Sequence, residues 1–170
     1  ISKENYIQNN FTEISIGEKS SLLNYTMQGC VSRGFYYKFI KANLNKDSNY
    51  ENYIFSSGLK FNKIEECIDI NGEHANCKIQ SALFLRKGNH QEIKTRLNHL
   101  KPNSTSYQKI KSVLNDNCKS IYQGKIFVKD IAQKTNAYQL SKALLLDNRS
   151  SEFSTKPELE IYADDVKCSH

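Results

Sequence analysis

The chain's final stretch reads Ser154-Thr155-Lys156-Pro157-Glu158-Leu159-Glu160-Ile161-Tyr162-Ala163-Asp164-Asp165-Val166-Lys167-Cys168-Ser169-His170. Pro157 has no backbone N–H to donate, which confines it to the first residue of a strand or to a sheet edge. The extended residues after it alternate. Cys168 and His170 are two apart, so a strand projects both from one face, about 7 Å apart along the backbone. A soft thiolate beside an imidazole is half of a site for zinc, iron or an iron–sulfur cluster. It is only half, because tetrahedral closure takes four ligands. The other histidines, His74, His90 and His99, show no spacing that would complete it. The remaining ligands would have to come from distant residues of the fold, from beyond His170, or from a partner chain; the bland alternative is that the pair is structural. Asp164 and Asp165 read as a solvated turn, and alternation would put them on opposite faces, which argues against a paired acid–base role.

Upstream, short strand-like pieces dominate: Thr12 to Ile16, Phe35 to Ile40, Ile64 to Ile70 with the Asn71-Gly72 turn signal, Cys77 to Leu85, Ile121 to Val128, Leu144 to Leu146 and Leu159 to Ala163. β-Branched and aromatic residues fill them, and Asn, Asp, Ser and Gly separate them. One interval, Ser104 to Leu114, carries Tyr107, Ile110, Val113 and Leu114 at helical spacing and is a candidate helix, with a strand as the alternative. The pieces recur at irregular intervals, so no strict repeat emerges. Patterning alone gives an all-β chain and leaves sandwich, barrel and solenoid open.

With 170 residues the chain has the size of one domain. It begins at Ile1 without methionine and stops directly after a dense motif, and is expected to be a segment of a longer protein. No run approaches the roughly 18 apolar residues of a membrane helix. The five cysteines, Cys30, Cys67, Cys77, Cys118 and Cys168, are odd in number, scattered and free of Cys-x-x-Cys pairs. They fit reduced thiols in a cytosol-like compartment better than a disulfide framework or structural zinc. The Asn-x-Ser/Thr triplets at Asn10, Asn24, Asn103 and Asn148 lie in an asparagine-rich chain where such triplets arise by chance. Net charge is +6, but the lysines are interleaved with 18 acidic residues, as on an ordinary solvated basic surface. The one aromatic–basic cluster, Arg33 with Phe35-Tyr36-Tyr37-Lys38-Phe39, reads as a buried strand rather than a nucleic-acid platform.

The stretch 154–170 resembles the signature of the SufB/SufD family of SUF iron–sulfur cluster assembly, in its SufD form. There a Thr-Lys-Pro-x-Leu-Glu-Ile-Tyr/Phe-Ala-Asp-Asp-Val-Lys-Cys-Ser-His run precedes a Gly-Ala-Thr that this chain lacks. Tyr122-Gln123-Gly124-Lys125-Ile126, Ala132-Gln133-Lys134-Thr135-Asn136-Ala137, Leu144-Leu145-Leu146 and His99-Leu100-Lys101-Pro102-Asn103-Ser104-Thr105-Ser106 resemble family strands and turns. The match is dense from about residue 95 to the end and persists only as pattern from 10 to 95, as in Thr12-Glu13-Ile14 and Gly17-Glu18. The SufB form fits less well: its cysteine, in a Gln-Cys-Asp-Ser-Leu-Leu context, would fall near Lys142, where there is none.

The resemblance implies a right-handed parallel β-helix, with residues 1–170 forming part of a single core domain. It further implies pairing with a SufB-like paralogue and, through C-terminal helices absent from this stretch, an ABC-type ATPase of the SufC kind. Cys168 and His170 would then hold transient iron or a nascent iron–sulfur cluster at the subunit interface, His170 being the stronger candidate. The protein would be a non-catalytic cytoplasmic scaffold, or a plastid one in a eukaryote, binding neither nucleic acid nor membrane. Cys30, Cys67, Cys77 and Cys118 match no ligand position and are expected to be small buried apolar residues. In such a solenoid, inward positions should stack Ile, Leu, Val and Phe, each coil burying its face only against its neighbours. The stretch alone, with an open coil end, is expected to aggregate or to be marginally stable; reversible, cooperative melting of the monomer would contradict this. The competing readings are a carbohydrate-active enzyme on a β-helix, for which Glu158, Glu160, Asp164 and Asp165 are the only acidic grouping, and a basic nucleic-acid-binding module.

Overall fold

The computed structural model describes residues 6–29, 33–57, 59–146 and 150–170; Cys30 lies outside them. The described residues form twelve strands and no helix. They are β1 (Ile7–Ile16), β2 (Ser21–Gln28), β3 (Phe35–Leu44), β4 (Asn49–Ser56), β5 (Phe61–Ile70), β6 (Asn76–Arg86), β7 (His90–His99), β8 (Thr105–Asn115), β9 (Lys119–Val128), β10 (Asn136–Leu145), β11 (Glu152–Ile161) and β12 (Lys167–Ser169). Odd strands stack in one six-stranded sheet, in the order β1-β3-β5-β7-β9-β11, and even strands in a second, β12-β10-β8-β6-β4-β2. All ten pairings are parallel. The chain therefore winds as a β-solenoid of about five turns, each coil giving one strand to each sheet.

Alternation decides which side chains face the axis. In β5 every second residue, Asn62, Ile64, Glu66, Ile68 and Ile70, is buried. In-register stacking turns such positions into rows: Ile14, Ala42, Ile68, Leu97, Ile126 and Leu159 form one, and Ile16, Leu44, Ile70, His99, Val128 and Ile161 the next. Each fully buried Ile or Leu in them contributes about 1.5–3 kcal/mol, a gain available only once a neighbouring coil is in place.

The register also shows why no repeat is legible in the sequence. The step between stacked positions is 26 residues from Phe35 to Phe61 but 33 from Lys119 to Glu152. The variation sits in the rims, with connections as short as 87–89 and as long as 129–135. A hidden regularity survives at one rim, where the residue preceding β4, β8 and β10 closes the turn with its hydroxyl. Ser48 Oγ donates to Asn45 O at 2.6 Å, Ser104 Oγ to Lys101 O at 3.2 Å and Thr135 Oγ1 to Ala132 O at 2.8 Å. Left-handed residues mark the same turns: Lys19, Asp47, His74, Asn103 and Lys134 all have φ between 55° and 60°.

Four expectations are corrected. Ser104 to Leu114 is not a helix: Thr105–Asn115 is β8, held between β6 and β10, because Ser106, Gln108, Ile110, Ser112 and Leu114 fit the period-two inward row. Phenylalanine is not a core residue here. Phe11 and Phe39 stack at 5.8 Å on the outer face, as Tyr25 with Tyr53 (5.6 Å) and Tyr107 with Tyr138 (5.2 Å) do, since parallel register places like side chains over one another. Within Phe35 to Ile40 only Tyr36 and Ile40 are buried, so that run is a half-buried strand. Finally, the interior is far from wholly apolar: Asn52, Glu66, Gln91, Thr95, His99, Gln108 and Gln139 are all buried in it.

His99 illustrates how such groups are tolerated. Its Nδ1 lies 2.7 Å from Ser104 Oγ and its Nε2 2.9 Å from Ser106 Oγ, and burial lowers its pKa to about 4. The unfolded chain takes up this proton near pH 6.5 and the folded one only near 4, so the contribution of neutral His99 is present above pH 6.5 and lost as pH falls to 4, by up to about 3 kcal/mol. His99→Gln is expected to remove this gain in stability between pH 4 and 6.5, measurable by denaturant titration at a series of pH values.

Candidate functional site: the terminal coil

The stretch that opened the sequence reading folds as the last coil. Pro157 lies in β11, which among the described residues pairs with β9 at the end of its sheet. The stretch after it is not one continuous strand. β11 ends at Ile161, and Tyr162 to Val166 carry the chain across the rim to β12 in the other sheet. Asp164 and Asp165 thus sit in the connection, with a structural task visible in the backbone. Tyr162 N donates to Val128 O at 3.0 Å, Lys134 N to Asp165 O at 2.5 Å and Lys167 N to Thr135 O at 2.9 Å, while Gln133 Oε1 accepts from Asp165 N at 2.8 Å. These bonds seat the last turn on the preceding one, and Ala163 fills the corner beneath it.

The outcome is the placement of Cys168 and His170. β12 pairs with β10, Ala137 beside Cys168 and Tyr138 beside Ser169. Cys168 points to the solenoid interior, packed with Val166 against Ile126, Val128, Ala132, Ala137 and Ala163. Burial pushes its thiol pKa up, opposed by a hydrogen bond from the Ala137 backbone. At neutral pH such a thiol holds its proton until a metal ion displaces it. His170, one residue past the end of β12, is exposed. One half-buried sulfur and one accessible imidazole in this coil are donors suited to iron or an iron–sulfur cluster, and they leave the remaining coordination positions to come from elsewhere. Among the described residues no group of three His, Cys, Asp or Glu could hold a metal.

The other cysteines divide. Cys77 and Cys118 are buried free thiols, as expected, whereas Cys67 is a half-exposed free thiol on the outer face, in register between Lys41 and Arg96. Glu158 and Glu160 are ion-paired on that face, with Lys156 at 2.6 Å and Lys125 at 2.5 Å, and do not converge on a groove. Sequence reasoning missed Glu66, which is 2% exposed and whose pKa is pushed up to about 7 by burial. Its signal was available: Glu66 is in phase with Ile64, Ile68 and Ile70. No described residue belongs to a helix long and apolar enough to cross a membrane.

Comparison with known proteins agrees with this geometry. The model of the SufBD core domain of SUF-system FeS cluster assembly matches residues 1–170. The iron–sulfur cluster assembly protein SufD of Escherichia coli is 39% identical over 101 residues, covering 59% of this chain and 24% of that protein. A SufBD family protein of Synechocystis is 28% identical over 167 residues, covering 97% of this chain and 36% of its own length. A chloroplastic protein of Arabidopsis thaliana is 49% identical over 51 residues. The chain thus spans about a quarter to a third of the first two relatives.

Proposed function

Because the chain belongs to the SufBD core-domain family of iron–sulfur cluster assembly, we propose that it is a non-catalytic, SufD-like scaffold component whose Cys168 and His170 supply part of a ligand set for iron or a nascent cluster. One observation supports this reading above others: the turn through Asp164 and Asp165 delivers a thiol and an imidazole to the terminal coil, and two donors cannot close a tetrahedral site. The missing donors come from a SufB-like paralogue docked core to core. An ABC-type ATPase of the SufC kind completes the complex through a region outside this stretch. The cluster is cargo, held transiently and passed on. Residues 1–170 serve as part of one core domain, in the cytoplasm or in a plastid.

Anaerobic reconstitution of the complex with iron and sulfide tests the assignment. A visible cluster spectrum is expected with the unaltered chain, and a several-fold weaker one with Cys168→Ser or His170→Ala. Equal spectra from both variants, with the complex intact, would remove these residues from the ligand set.

A further inference from the structure

The lysines that read as interleaved with acids along the chain are sorted in space. The outer face of the odd-strand sheet is laced with ion pairs: Lys63 with Glu65 at 2.9 Å, Lys119 with Glu152 at 3.2 Å, Lys125 with Glu160 at 2.5 Å and Lys156 with Glu158 at 2.6 Å. Among the described residues, the outer face of the even-strand sheet carries Lys78, Arg86, Lys109, Lys111, Lys142 and Lys167 against a single carboxylate, Glu51. Glu51 is itself engaged, by Lys78 at 3.4 Å and by the Tyr53 hydroxyl, which donates to it at 2.8 Å. Lys111 and Lys142 are register neighbours on adjacent strands, about 4.8 Å apart. Like charges so placed repel and lower stability.

The same face holds an apolar socket. Phe55, Ala82 and Lys111 are register neighbours across β4, β6 and β8, and Phe84 and Val113 are neighbours two residues further on. Ala82 is the small member of this group. A groove of about 490 Å³ opens over it, walled by Phe55, Phe84 and Val113 with Lys111 at its side. Phe55 and Phe84 are 43% and 44% exposed, and the Arg86 guanidinium lies over the Phe84 ring at 6.0 Å. Large apolar walls, a small floor and cations at the margin complement a protruding Leu or Phe side chain flanked by carboxylates.

We propose that this face docks an acidic protein segment, an apolar side chain entering the socket over Ala82 while flanking Asp or Glu side chains meet Lys109, Lys111 and Lys142. Charge complementarity selects this occupant. A second copy docked through the same face would set Lys111 and Lys142 against their own counterparts. A nucleic-acid backbone would engage the cations and leave the socket empty, since phosphate contacts make no use of apolar walls. The socket lies on β4, β6 and β8, two strands from β12, so the role of Cys168 and His170 does not enter.

Fluorescence anisotropy of a labelled peptide, with Asp and Glu residues around a central Leu-Phe pair, tests this on the intact protein. Saturable binding that weakens as salt is raised is expected. Lys111→Glu should weaken it several-fold, and so should Ala82→Leu, which fills the socket and leaves the charge alone. Both positions face outward, so neither variant disturbs the core. Lys41→Glu on the odd-strand sheet, likewise exposed, should leave binding unchanged. The proposal is overturned if the peptide does not bind, if a peptide with Ser-Ser in place of Leu-Phe binds as tightly, or if Lys41→Glu costs as much as Lys111→Glu. It is equally overturned if single-stranded oligothymidylate or phosphatidylserine vesicles bind this face more tightly than the peptide.

Discussion

Gly72→Ala is expected to lower stability by about 3 kcal/mol, the upper part of the range for forcing extra atoms into a filled site. A Cβ at Gly72 would overlap the Lys46 nitrogen and the Asn45 carbonyl carbon, backbone atoms of the stacked turn one coil away. Neither can move without breaking the rim bonds from Asn71 N to Leu44 O and from Asp47 N to Glu73 O, both 2.9 Å. The comparison variant is Gly17→Ala in the equivalent turn of the first coil. There the added carbon would meet only Ser20 Oγ, at 3.6 Å, and a change within about 0.5 kcal/mol is expected. Denaturant midpoints of the two variants measured side by side decide the matter, and equal losses would mean that coil-to-coil contact at the rim does not limit this position.

Glu66→Gln is expected to stabilise the protein above pH 7 and to leave it unchanged below about pH 4.5. Burial raises the Glu66 pKa from 4.5 to about 7, against the Asn52 hydrogen bond and the Lys38 charge. Between these values the folded chain keeps a proton that the unfolded chain releases, so this residue's contribution is complete below pH 4.5 and declines as pH rises to 7. The loss amounts to about 3 kcal/mol. Glutamine retains an oxygen for Asn52 and never ionises. His99 has the opposite slope between pH 4 and 6.5, so the unaltered protein should show a flat profile between about pH 4.5 and 6.5 that tilts upward with pH in Glu66→Gln and downward in His99→Gln. Parallel profiles for all three proteins would refute both assignments.

What was legible in the sequence follows from which physical signal each residue carries. β5, β6 and β9 were legible because their inward rows carry Ile64, Ile68 and Ile70, Ile79, Leu83 and Leu85, and the Ile126 and Val128 pair beside Tyr122. It failed for β8, where Ser106, Gln108 and Ser112 face inward and only Ile110 and Leu114 are apolar, leaving a spacing that also fits a helix. β2, β4 and β7 were invisible for the same reason, their inward rows including Asn24, Thr26, Asn52, Gln91 and Thr95. Asn71-Gly72 was read correctly as a turn, yet the left-handed residue there is His74 at φ 60°; Gly72 is needed for close approach, which only stacking reveals. Cys168 and His170 were found from spacing and motif. Their presentation depends on the Asp164–Asp165 crossing between sheets, which a period-two reading of the whole stretch could not supply.

The central claim is that His170 and Cys168 bind the iron of a growing cluster together with groups from a second subunit. The most direct measurement is pulsed electron paramagnetic resonance of the reduced, cluster-loaded complex, with nitrogen-15 histidine incorporated into this chain alone. The account predicts a nitrogen-15 coupling to the cluster that vanishes in His170→Ala, together with a changed cluster signal in Cys168→Ser. A cluster of full occupancy that shows no nitrogen coupling from this chain, and is indifferent to both substitutions, would contradict it.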